Sequence, residues 1–248
     1  MIKLKNAMQL AAMQDSCKLT IEALMEGASL IAPGVETGEI DQRIRKHIER
    51  YGGKPSFLGY AGFPKSSCIS VNDVVIHGIP GHRVLKEGDI VSIDVGAFLK
   101  GFHGDCARTF PCGKISQEAE RLIEVTRQSF YAGLERVVPQ NRIGDISAAV
   151  QETAEAAGFS VVREYIGHGV GENLHEAPDV PNFGVAGRGP RLYAGMTLAI
   201  EPMVNLGKKE VRQLSDGWTV VTCDGSLSAH YENTVAVTGD GAKILTEL

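Results

Sequence analysis

Four acidic residues sit where an isolated charge would be expensive. Asp94 lies in the run IVSIDV (90–95) and Glu201 in LAIEPMV (198–204), both otherwise apolar and strand-like. Asp105 follows His103 by two residues, and Glu232 follows His230 by two, so each acid shares a strand face with a histidine. A carboxylate in such a run needs a partner. Arg108 is the only basic residue close by in any of these strands. Taken singly, each acid is explained by its own salt bridge or by a capped turn. Taken together with one neutral imidazole, they carry about four negative charges, which two divalent cations neutralise. Carboxylate oxygens with a histidine nitrogen suit Mn, Fe(II), Co or Zn and do not choose among them. Two such ions about 3.5–4 Å apart form a hydrolytic arrangement.

A weak internal repeat says how such acids meet. GDIVSID (88–94) resembles GMTLAIE (195–201), each glycine six residues before an acid, at an offset of 107. Gly38-Glu39-Ile40 matches Gly144-Asp145-Ile146 at 106, Tyr60-Ala61-Gly62 matches Tyr165-Ile166-Gly167 at 105, and His103-Gly104-Asp105 parallels His230-Tyr231-Glu232 at 127. Four fragments in the same order predict one catalytic domain, 1–248, built from related halves of about 1–115 and 116–248. Matching strands then bring the acids together near a pseudo-two-fold axis. Apolar periodicity predicts helices over 5–31, 37–51, 117–138 and 143–157, the second with Ile40, Ile44 and Ile48 along one stripe. Strands are expected at 56–60, 67–71, 90–97, 102–110, 161–166, 197–204, 217–223 and 231–238, giving an α+β pattern rich in hairpins.

Composition narrows the setting. A formal net charge of −5 and the lack of basic blocks argue against direct nucleic-acid binding. Five cysteines without a CxxC pair suit reduced thiols rather than a disulfide framework. The opening residues do not read as a signal peptide, since Gln9, Gln14 and Asp15 interrupt the apolar ones. No apolar run of ~18 residues predicts a membrane span. A cytoplasmic location is expected.

Several short motifs then become recognisable in order: Gly59-Tyr60, FPKS (63–66), HGIP (77–80), and Asp94 with ten residues between it and Asp105 of GFHGD. They continue with YIGHG (165–169), His175-Glu176-x-Pro178, IEP (200–202), DGW (216–218) and SLSA (226–229) before Glu232. Spread over nearly the whole chain, they resemble the type I methionine aminopeptidases of the bacterial short form, which have the creatinase-like pita-bread fold. That fold packs two pseudo-symmetric halves around a curved, mostly antiparallel sheet covered by helices.

The resemblance implies a hydrolase that removes the initiator methionine from nascent polypeptides at the ribosome exit, with a small second residue preferred and a monomeric state. It implies two divalent ions held by Asp94, Asp105, His168, Glu201 and Glu232, with Asp105 and Glu232 shared between them. Gly167 and Gly169 on either side of His168 fit a close approach of backbone and ligand. By the same resemblance Glu201 moves the proton, His175 stabilises the oxyanion, and His77 contacts the peptide from the other side. Tyr60, Phe63, Cys68 and Trp218 would line a slot for the methionine thioether, with Phe57 and Leu174 at its rim. Without the resemblance, Tyr60 and Trp218 read better as core aromatics. The chain departs from the common pattern in three places: Phe57 where cysteine is frequent, Leu174 where phenylalanine is, and His230 where glutamine is. His103 and His230 are expected as outer partners of the ligands, and His47 and His82 as solvated surface residues. Two alternatives are a same-fold Xaa-Pro peptidase and a catalytically weak paralogue serving as a peptide-binding module.

Overall fold

A computed structural model describes residues 1–248. The first helix, α1 (Ala7–Ala28), starts later than its apolar pattern suggests because Asn6 caps it: Asn6 accepts the Gln9 N–H, and the Gln9 side chain accepts the Asn6 N–H. It packs against α2 (Thr37–Arg50), whose Ile40, Ile44 and Ile48 are fully buried. The second pair, α3 (Gln117–Leu134) and α4 (Ile143–Ala156), meets in the same way through Ile146, Val150 and Ala154. Small residues permit both contacts. A Cβ on Gly27 would lie 2.6 Å from Ile44, and one on Gly133 would lie 2.8 Å from Val150. Burying each isoleucine contributes about 1.5–3 kcal/mol.

The helices cover a nine-stranded antiparallel sheet. Its order is Lys54–Pro55, Ile90–Leu99, Phe102–Pro111, Glu232–Val237, Thr197–Ile200, Gly167–Gly169 and Glu176–Val180. Ser67–Val71 also pairs with Ile90–Leu99, and Ala242–Ile244 with Glu232–Val237. Val91, Ile93, Val95 and Ala97 face the core beneath α1 and α2, while Leu198, Ile200, Val235 and Val237 face the core beneath α3 and α4.

The two halves repeat each other in backbone hydrogen bonds as well as in sequence. Gly34 N–H donates to Leu85 O, and Gln140 N–H to Leu192 O. Thr37 donates to Arg83 and Ile143 to Pro190; Gly38 donates to Gly81 and Gly144 to Arg188. The glycines that open the two acidic strands, Gly88 and Gly195, hold φ of +92° and +93°, a region that glycine enters without a Cβ penalty.

Several expected strands are shorter or broken. The run 197–204 divides into Thr197–Ile200 and Met203–Asn205, which join different sheets. Pro202 has no N–H for the ladder, and the strand ends at Ile200, just before Glu201. Residues 56–60 are not a strand: only Lys54–Pro55 pairs, and the chain turns through Gly59 (φ +82°) and Ala61 (φ +47°). The runs 161–166 and 217–223 contract to Ser160–Val161 and Val220–Thr222. No helix is long and apolar enough to cross a membrane.

Candidate active site

Five neighbouring strands each bring one functional side chain to the same place. In sheet order they carry Asp94, Asp105, Glu232, Glu201 (directly after Ile200) and His168. Where the Asp105 and Glu232 strands meet, regular pairing covers only Glu232↔Ala107 and Asn233↔Cys106. Threonine hydroxyls serve the backbone beside it. Thr234 Oγ1 accepts the Asp105 N–H at 3.0 Å and donates to Asp105 O at 2.8 Å, and Thr109 Oγ1 does the same for His230 at 2.9 Å each way.

All five side chains, together with Phe57, Tyr60, Phe63, Cys68, His77, Leu174, His175 and Trp218, line one cavity of about 220 Å³. One wall is charged and the other apolar. Phe57, Phe63, Cys68 and Leu174 form a buried cluster, with Trp218 edge-on to Phe63 at 5.1 Å between ring centroids. The aromatic and sulfur groups therefore stand beside the acids, with Cys68 directly paired to Asp94 across the strands.

None of the four acids is neutralised by lysine or arginine; their only basic neighbours within salt-bridge reach are histidines. Arg108, the one base nearby in sequence, instead donates to the backbone carbonyl of Glu232 and to Asn233 Oδ1, and lies over the Tyr231 ring at 4.1 Å. Burial pushes the Asp94 carboxyl up to about 7 and Glu201 up to about 8. It also drives Asp105 and Glu232 well above the carboxylate range, and the neighbouring acids add to both shifts. Burial lowers His168 to about 3, with His175 contributing.

This donor set fits a cation. Asp94 Oδ1, Asp105 Oδ1 and Glu232 Oε1 are buried without a hydrogen-bond partner, a costly state for carboxylates that an ion relieves. One ligand atom from each of Asp105, His168 and Glu232 falls within a 4.8 Å group. His168 Nδ1 donates to Gly169 O at 2.8 Å, which leaves the Nε2 lone pair facing Glu201 Oε1 at 3.5 Å and Asp105 Oδ2 at 4.0 Å.

The remaining histidines separate by role. His175, exposed at the cavity mouth, has its ring 4.1 Å from that of His168, and its Nδ1 is 2.7 Å from the Tyr60 hydroxyl. His77 takes φ +57°, an uncommon conformation for a non-glycine residue, and stands edge-on to Trp218. Burial pulls it down to about 4, with His230 and His175 assisting. His230 Nε2 points toward Glu201 Oε2 at 3.7 Å. His103 does not join the acids. Its ring meets Ser56 Oγ at 2.8 Å, because residues 54–57 run beside that end of the strand pair. His82 is open to solvent, but His47 is not: only 14% of its side chain is exposed, packed against Tyr51.

Sequence reasoning missed the Tyr60–His175 hydrogen bond and the two threonine clamps. The partners are 115 residues apart in the first case, and 129 and 121 in the others. No local pattern signals them.

Residues 11–239 match the model of metallopeptidase family M24. The chain is 55% identical over 246 residues to a methionine aminopeptidase of Clostridium perfringens, covering 99% of both chains. It is 50% identical to methionine aminopeptidase 1 of Bacillus subtilis, with full coverage of both. The crystal structure of a methionine aminopeptidase from Thermotoga maritima superposes with a TM-score of 0.98 at 43% identity, over the whole of each chain. The sheet and its four helices are thus the pita-bread fold, and the chain belongs to metallopeptidase family M24.

Proposed function

We propose that this chain hydrolyses the first peptide bond of polypeptides that begin with methionine, with a small residue preferred in second place. The observation that carries the proposal is the joining of an acid-and-imidazole wall to a soft apolar wall in one cavity. Methionine is long, flexible and polarisable, and its sulfur makes favourable contacts with aromatic rings. Phe63, Trp218, Tyr60 and Cys68, rimmed by Phe57 and Leu174, suit such a side chain. Its natural substrates would be new proteins bearing their initiator methionine, met in the cytoplasm at the ribosome exit by a monomeric enzyme.

Asp94, Asp105, His168, Glu201 and Glu232 would hold two divalent ions, drawn from Co, Mn, Fe(II) or Zn. When bound, the ions supply Lewis acidity, which lowers the pKa of water toward neutrality and polarises the scissile carbonyl. Glu201 accepts the proton of the attacking water and returns it to the departing amine. His175 donates to the carbonyl oxygen as negative charge develops there. The Tyr60 hydroxyl at Nδ1 fixes the ring, leaving Nε2 for the substrate. His77 approaches the peptide backbone from the Trp218 side.

The test is a cleavage panel with the stripped chain reconstituted with Mn or Co. Met-Ala-Ser should be cut much faster than Met-Pro or Ala-Pro peptides. Preferential Xaa-Pro cleavage would replace this reading with the proline-directed one. Absence of turnover with any of the metals would leave a peptide-binding module.

A further inference from the structure

The first five residues lie along the loop that presents His175. Lys5 N–H donates to Gly195 O at 2.7 Å, anchoring the segment on the second half. Its ammonium then reaches Glu176 Oε2 at 2.7 Å, with the two side chains only 4% and 5% exposed. The other oxygen of that carboxylate accepts the Asn173 N–H at 3.1 Å, and Asn173 O accepts the Gly171 N–H at 3.0 Å. The loop closes on the ion pair with no space to spare. A Cβ on Gly171 would lie 2.7 Å from Lys5 Nζ and 2.9 Å from Glu176 Oε1. A second pair, Lys3 with Glu172 at 2.9 Å, is half exposed and adds little. Burial alone would push the Glu176 carboxyl up. Lys5 and the Asn173 amide more than offset it and hold the group below its ordinary value.

A buried ion pair of this kind is weak evidence for stability, and a matched apolar pair often does as well. What it does supply is fixed geometry. Glu176 immediately follows His175, whose ring has the Tyr60 hydroxyl as its hydrogen-bond partner.

We infer that Lys5 is a positioning residue for His175: through its buried contact with Glu176, it fixes the loop that aims the imidazole at the scissile carbonyl. The inference rests on the role given to His175 above. Misplacing a catalytic group by about 1 Å costs up to ~10²-fold in rate, so a small shift of this loop is enough.

The experiment is a pair of mutant cycles in the metal-reconstituted, full-length chain. Lys5→Met keeps the side-chain stem and removes the charge; Glu176→Gln keeps an acceptor and removes the charge from the other side. Each is made alone and with His175→Ala. Lys5→Met should lower kcat by roughly 10- to 10²-fold with little change in KM. In the His175→Ala background it should lower kcat by less than about twofold, because the group it positions is gone. An equal loss in both backgrounds, or no loss in either, overturns the inference. If Lys5→Met shows no cooperative melt, Glu176→Gln decides by the same criteria. Full activity of His175→Ala alone would refute the role of His175 itself. That outcome is distinct from a slow His175→Ala enzyme in which the Lys5 effect remains additive.

Discussion

The two halves share a frame and differ in what they mount on it. In the first half, Asp94 and Asp105 lie within two ten-residue strands paired without interruption from Ile90↔Pro111 to Leu99↔Phe102. In the second, the matching acids stand at breaks. Glu201 follows a four-residue strand and precedes Pro202, and Glu232 opens its strand after a long excursion through four short ones. That excursion carries Trp218, and the segment before Glu201 carries His168 and His175. A continuous ladder holds two acids rigidly but leaves no room for additions. The broken half is where His168, His175 and Trp218 were accommodated, while Phe57, Tyr60, Phe63, Cys68 and His77 reach the same cavity from the first half, outside its long ladder. A pair of equivalent halves would treat both sides of a peptide bond alike, and the irregular half removes that equivalence.

The largest effect should be indifferent to this contrast. Asp105→Ala, from the regular half, and Glu201→Ala, from the broken half, should each reduce peptide cleavage to background while circular dichroism shows the fold retained. Near-normal turnover by either would break the shared-centre account. Next, His175→Ala should cost ~10²–10³ in kcat, measured on Met-Ala-Ser. A change confined to KM would move His175 from catalysis to binding.

The matched glycines sharpen the comparison at the level of stability. A Cβ on Gly38 would meet Gly81 O at 3.1 Å, whereas one on Gly144 would collide outright with Val185 O. Gly144→Ala should destabilise by about 1–3 kcal/mol in urea melts, and Gly38→Ala by less. Equal costs would mean that the second half relaxes more readily than its packing suggests.

The smallest effect concerns pH in the stripped chain. With the carboxyls of Glu201, Asp105 and Glu232 raised by burial, the folded form holds protons that the unfolded form has released. This contribution is complete below the ordinary carboxylate range and disappears as pH rises through the folded values. The depressed histidines oppose it only below about pH 6.5, where they are charged when unfolded. Between pH 7 and 8.5 the stripped chain should therefore melt a few °C lower as pH increases, by the usual conversion of stability to Tm. Glu201→Gln should flatten the slope, and a rising midpoint would contradict the assignment.

Much of the site was legible because its acids interrupt apolar runs. Asp94 and Glu201 declare themselves as charges in strands, and the glycine-to-acid spacing links them. The long strands and α2 and α4 were read to within about two residues, since their periodicity is local. Legibility ended where the structure depends on contacts remote in sequence. The expected strand over 197–204 ran straight through Pro202, which breaks it, and the change of sheet that follows was not foreseen. His103 shares a face with Asp105 in the pattern, yet the neighbour it meets, Ser56, comes from a segment that looked like a strand and is a turn. Lys5 and Glu176 look like ordinary surface charges until the fold brings them together across 171 residues.

The bond from His168 Nδ1 to Gly169 O has a consequence for how the centre fills. With its proton committed to the backbone, the imidazole can offer an electron pair without first surrendering anything. Any acid liberated on loading would then come from the carboxyl groups and from water taken up with the ions, not from the ring. In weakly buffered solution, uptake of cations by the empty enzyme would acidify the medium, and chelation would reverse it, with the ring a spectator to both.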